Sequence, residues 1–104
     1  MLTVQIQPLH IKIDGHASFA EVGRDIVCAG VSALAMTLYL ALKEKAEQGW
    51  LDAAVLQCDS GNAHLYAQPQ EPYALAIETL FEAFSNGLRA MAQAYPEYIK
   101  VKSL

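Results

Sequence analysis

The stretch Ile26-Val27-Cys28-Ala29-Gly30-Val31-Ser32-Ala33-Leu34-Ala35-Met36-Thr37-Leu38-Tyr39-Leu40-Ala41-Leu42 carries no charge over 17 residues, and its fate decides the fold. A membrane span needs about 20 mainly apolar residues. This run is shorter and is interrupted by Gly30, Ser32 and Thr37, so it reads as a helix buried in protein. Val27, Val31, Leu34, Ala35, Leu38 and Leu42 recur at three- and four-residue steps, which places them on one face. The helix is expected from Asp25 or Ile26 to about Gln48. Asp25 suits its N-cap, because a carboxylate there can accept an otherwise unpaired N–H of the first turn. Gly49 suits a left-handed stop, and the polar tail Lys43-Glu44-Lys45-Ala46-Glu47 shows the last turns leaving the core.

On the N-terminal side, Leu2, Val4 and Ile6 alternate with Thr3, Gln5 and Gln7, the period of a half-buried strand. His10-Ile11-Lys12-Ile13-Asp14 alternates again, so the two runs form an antiparallel hairpin closed at Pro8-Leu9, with Gly15 ending the second strand. His16 to Arg24 has no period and reads as a loop. On the C-terminal side, Ala53–Gln57 and Ala63–Gln68, joined by Asp59-Ser60-Gly61-Asn62, read as a second hairpin. After Pro69 and Pro72, Ile77, Phe81, Phe84, Leu88, Met91 and Tyr95 lay one apolar stripe on a helix from about Tyr73 to Ala94. Tyr98-Ile99-Lys100-Val101-Lys102 is the last strand. The expected fold is a two-layer α/β sandwich with a largely antiparallel sheet and two main helices, in the order ββαββαβ. Residues 1–104 read as a single domain.

Composition narrows the function classes. Apolar residues make up 54% and charged residues 17%, which excludes a disordered chain. So apolar a small domain is expected to hide surface in a second copy of itself, with the second helix supplying much of the interface. Seven Lys and Arg against eleven Asp and Glu leave a net charge of -4, and the basic residues are scattered, so direct nucleic-acid binding is not expected. No membrane segment and no signal peptide are read at the N-terminus, and a cytoplasmic protein is expected. Cys28 and Cys58 are then thiols. With no C-x-x-C and three histidines, neither a metal site nor a cofactor is expected.

Cys28 falls in the first turn of the long helix, where unpaired N–H groups and the helix dipole favour a thiolate. It reads either as a nucleophile or as another small apolar side chain. His16 opens the loop that leads into the helix, and it reads either as a base for Cys28 or as a solvated loop residue. Cys58, His10 and His64 carry no catalytic signal.

Read together, Asp14-Gly15-His16-Ala17 and Gly23-Arg24-Asp25-Ile26-Val27-Cys28-Ala29-Gly30-Val31-Ser32-Ala33-Leu34 resemble the bacterial ribosomal-processing cysteine proteases called Prp. The shared pattern is G-H-A, a short loop, then G-x-D-I-V-C-A-x-V-S-x-L. Tyr95-Pro96-Glu97-Tyr98-Ile99 is similar to the family's ending, so the likeness spans essentially the whole chain. It implies a homodimeric endopeptidase that removes an N-terminal extension from a large-subunit ribosomal protein. That substrate presents apolar and aromatic residues before the cut. Cys28 stands at the family's nucleophile and His16 at its base, with Gly15, Asp25, Ala29 and Ser32 beside them. No cofactor is implied.

On that reading His16 takes the thiol proton and Cys28 attacks the scissile carbonyl. The backbone N–H groups of Cys28 and Ala29 are the nearest candidates to hold the oxyanion. Asp25 is either the helix cap or a third group orienting His16. Ser32, four residues after Cys28, either bonds back to the Cys28 carbonyl or touches substrate. The loop Ser18-Phe19-Ala20-Glu21-Val22-Gly23 is expected to order over a bound peptide, hinged at Gly23, unless Phe19 packs on the core. Two competing functions are a non-catalytic ribosome-assembly module and a redox-sensing thiol protein; neither needs a base at His16.

Overall fold

Alternation at the N-terminus becomes strand β1 (Leu2–Gln7), which turns at Pro8-Leu9 into β2 (His10–Gly15) with Val4 opposite Ile13 and Ile6 opposite Ile11. The structure is a computed structural model describing residues 1–21, 24–59 and 61–103. Helix α1 (Ile26–Glu47) follows, then β3 (Leu51–Asp59), β4 (Asn62–Pro69), α2 (Ala74–Ala94) and β5 (Ile99–Ser103). The expected order ββαββαβ is the observed one. One 3-10 turn at Glu71–Tyr73 leads into α2.

The five strands form one sheet in the order β3-β4-β2-β1-β5. All pairings are antiparallel except β1 with β5, which is parallel because α2 carries the chain back across the sheet before β5 is laid down. Strand β3 is longer than its alternating segment and most of it is exposed. It is an edge strand held by its backbone ladder to β4, so side-chain alternation does not mark its limits.

Both helices cover one face of the sheet. Leu2, Val4, Ile6, Ile11, Ile13, Ala63, Leu65, Ala67 and Ile99 from the strands join Val27, Val31, Ala35, Leu38 and Leu42 of α1 and Ile77, Phe81 and Leu88 of α2 in a single core. By length and composition α1 could cross a membrane; its Val27–Leu42 stripe lies instead inside this core. The helices approach closely at two glycines. An added Cβ at Gly30 would stand 2.6 Å from Met91 Cε, and one at Gly87 would stand 3.1 Å from Leu34 Cδ2.

The sequence assigns α2 much of an interface with a second copy, and part of its apolar stripe is already used within one chain. Ile77, Phe81 and Leu88 are consumed by the chain's own core, whereas Leu75 of α2 and Ile26, Met36 and Leu40 of α1 remain exposed. On the uncovered face of the sheet, His10 stacks on His64 with their Nε2 atoms 2.7 Å apart, and His10 Nδ1 lies 3.1 Å from Gln7 Oε1. Partial burial, then His64 and Lys12, push the pKa of His10 down. Two rings so close cannot both hold a proton between them.

Candidate active site

The site starts where β2 ends. Gly15 has φ +99°, and a Cβ there would stand 2.5 Å from the Met1 carbonyl oxygen. Only glycine turns the chain out of the sheet at this point without strain. The Gly15 N–H donates to the Gly61 carbonyl at 2.9 Å, tying this exit to the β3–β4 turn. The next residue, His16, is thereby delivered to a cleft of about 330 Å³ that Cys28, Ser32, Met36, Cys58 and Asp59 also line.

Cys28 sits in the first turn of α1, half-buried, and its Sγ accepts the backbone N–H of Ala17 at 3.2 Å. Ala17 is itself 1% exposed, so this donor is held in place. Asp25 caps the helix as expected: its Oδ1 accepts the Cys28 N–H at 2.9 Å. Its Oδ2 takes the N–H groups of Phe19 at 3.0 Å and Ala20 at 3.4 Å. One carboxylate thus joins the helix entrance to the loop. These donors, Cys28 N–H first, outweigh partial burial and hold its carboxyl below the usual range.

Among the described residues no hydrogen bond joins Asp25 to His16, so the geometry is that of a cap and loop anchor. No hydrogen bond joins His16 to Cys28 either, although both face the cleft. Two further expectations are corrected. The N–H groups of Cys28 and Ala29 are not free for an oxyanion, since they are engaged by Oδ1 and by the backbone carbonyl of Asp25, both at 2.9 Å; helix capping has used them. Ser32 makes no bond back to the Cys28 carbonyl, whereas Thr37 and Thr79 do bond back along their helices. Its exposed side chain instead lines the cleft.

Sequence reasoning set Cys58 aside, and the fold places it in the same cleft as Cys28. Burial, then the Asp59 carboxylate, push the Cys58 thiol up, which keeps it protonated. His10 and His64 lie outside the cleft. Phe19 packs edge-on against Tyr95 and Tyr98 at 5.9 and 5.2 Å between ring centroids. Val22 and the expected hinge Gly23 lie outside the described residues. The donor from Ala17 has no signature in sequence beyond its place after His16. Among the described residues no cluster of three or more metal-ligating side chains occurs.

The sequence model of a family described as cysteine protease Prp matches residues 1–100. Among solved structures, the chain is similar to the essential ribosomal processing protease Prp of S. aureus in complex with a covalently linked product peptide, at 23% identity, TM-score 0.78 and 100% of both chains. It is also similar to that protease in complex with a substrate peptide, at 20% identity and TM-score 0.68 over 99% of this chain and 97% of that one. A third likeness is to SMU.848 from Streptococcus mutans, at 28% identity and TM-score 0.67 over 99% and 91%. The S. aureus comparisons, below 25% identity, establish a shared fold. No curated protein matches the chain.

Proposed function

The chain belongs to the cysteine protease Prp family, and on that premise we propose that Cys28 and His16 are the nucleophile and general base of an endopeptidase that trims a ribosomal protein. The substrate of this proposal is the N-terminal extension of a bacterial large-subunit ribosomal protein, and the enzyme works in the cytoplasm as a single domain spanning residues 1–104. The observation that carries it is the shared cleft of His16 and Cys28, with the Ala17 N–H already donating to Sγ at 3.2 Å.

His16 takes the thiol proton as the peptide enters, and the Cys28 sulfur attacks the scissile carbonyl carbon. The resting pair is not hydrogen-bonded, so the contact forms in the substrate complex, as catalytic hydrogen bonds often do. The tetrahedral intermediate needs a donor beside the sulfur. As the C–S bond forms and the sulfur loses its charge, the Ala17 N–H shifts from Sγ to the oxyanion, a role the capped donors of Cys28 and Ala29 cannot take. Collapse breaks the C–N bond, His16 passes its proton to the leaving amine, and the acyl group stays on Sγ as a thioester. Water, deprotonated by His16, then releases the acid and restores the thiol. Asp25 anchors the loop that carries Ala17, and Ser32 contacts the peptide one helical turn beyond Cys28. A homodimer belongs to the same proposal, with Ile26 and Leu40 of α1, outside the cleft, in the surface a second copy covers.

The test is incubation with the organism's own ribosomal protein, or a peptide of its N-terminus, alongside Cys28→Ala and His16→Ala. Cutting by the wild type, its loss in Cys28→Ala and its fall to a small residual rate in His16→Ala is the expected result. Binding without cutting would favour an assembly role, and full cutting by His16→Ala would remove the base.

A further inference from the structure

Gly61, in the β3–β4 turn, stands against His16 in a way the chain cannot imitate with any other residue. An added Cβ would meet Cε1 and Nε2 of the imidazole, both at 2.8 Å, and the Gly15 carbonyl oxygen at 3.3 Å. Its φ of +76° also lies in the region that L side chains rarely adopt. The turn is clamped to the segment delivering His16. Gly15 donates to the Gly61 carbonyl at 2.9 Å, and Asp14 pairs with Asn62 where β2 and β4 end. His16 is exposed and makes no hydrogen bond among the described residues, so van der Waals contact with this bare backbone is what bounds its ring on that side.

We propose that Gly61 is a positioning residue for His16: the missing side chain leaves a berth in which the imidazole lies at the mouth of the cleft holding Cys28. The proposal rests on His16 being the base. Its consequence is that a hairpin remote in sequence from the G-H-A and D-I-V-C segments sets the angle from which the base approaches the thiol. A misplacement of about 1 Å in a reacting group can lower a rate by up to about a hundredfold, and a methyl group at this distance must displace the ring.

The molecule supplies its own control. Gly49 has a φ of +79°, nearly that of Gly61, and an added Cβ there meets nothing within 4 Å. Gly49→Ala therefore imposes the backbone strain alone, whereas Gly61→Ala imposes strain and the collision. With the ribosomal-protein peptide as substrate, Gly61→Ala is expected to lower kcat by about tenfold or more with KM changed less than about threefold. Gly49→Ala should keep the wild-type kcat, and in the His16→Ala background Gly61→Ala should lower the residual rate no further. Gly61→Asn, whose side chain tolerates the left-handed region, restores the backbone conformation but keeps the Cβ and should remain slow.

Independently of any variant, the nuclear Overhauser spectrum of the wild type should connect the Gly61 α-protons to the His16 Cε1 proton. Absence of that cross-peak, a Gly61→Ala kcat within twofold of wild type, or an equal loss in the His16→Ala background would each overturn the berth. Full cutting by His16→Ala would instead overturn the base assignment, while the cross-peak would still report the contact.

Discussion

The backbone N–H of Ala17 donates to the sulfur of Cys28 at 3.2 Å across a separation of eleven residues. The sulfur's partner is therefore a main-chain group in the loop following β2, a loop held by the same carboxylate that caps the helix. This couples three things usually treated apart: helix capping, loop conformation and the position of the thiol. The donor holds the sulfur at a fixed point beside the loop, so an incoming carbon meets it from a set direction.

Removing that donor should slow the thiol without touching the helix. Ala17→Pro deletes the N–H, and Ala17→Gly keeps it. In a Cys58→Ser background, alkylation of Cys28 by iodoacetamide at neutral pH is expected to slow by about tenfold in Ala17→Pro and by less than about twofold in Ala17→Gly. Equal rates in the two would show that the donor does not act on the sulfur.

Asp25 should govern acid stability. Its folded carboxyl titrates below the ordinary value of 3.8, so its contribution is fully present above that value and is lost as pH falls through the folded value. Asn keeps an acceptor for the Cys28 N–H but turns an amide NH2 toward the Phe19 and Ala20 donors, so Asp25→Asn should lower the melting temperature at pH 7, and the gap should close as the solution is acidified below about pH 4. A gap independent of pH would mean that the charge plays no part.

His10 should act with the opposite sign to a paired histidine. Its folded value lies below the ordinary 6.5, so the unfolded chain binds a proton more readily and stability falls as pH drops through 6.5. His10→Gln should lessen the loss of melting temperature between pH 7 and pH 5. Parallel curves for the two proteins would exclude a role for the His10–His64 pair.

Two leucines on α1 should behave differently. Leu38 is 1% exposed and Leu40 55%. Leu38→Ala should cost about 2–5 kcal/mol in chemical unfolding. Leu40→Lys should leave the protomer folded but shift light-scattering mass at micromolar concentration from dimer toward monomer. A Leu40→Lys protein as dimeric as the wild type would move the proposed interface elsewhere.

Much of the fold was legible because burial imposes a period. Val27, Val31, Ala35, Leu38 and Leu42 had to share a helical face, and Leu2, Val4 and Ile6 had to share a strand face. Capping was legible for the same local reason: Asp25 is three residues from the N–H it accepts. The limits of β3 were not, since an edge strand needs only backbone partners. Cys58 was set aside because no basic residue stands beside it in the chain, and its place in the cleft depends on how the β3–β4 hairpin lies against α1.

The sequence by itself determined the order of elements, the cap on α1, and Cys28 and His16 as the candidate pair, since each rests on spacing within a few residues or on one contiguous motif. The tertiary structure alone decided that part of α2's stripe is spent inside the chain and that the N–H groups of Cys28 and Ala29 are already taken. It also decided that Ala17 reaches the sulfur and that Gly61 lies beneath His16. These are distances between segments that only sheet pairing brings together, and the 2.9 Å bond from Gly15 to Gly61 is the point at which two separate hairpins become one site.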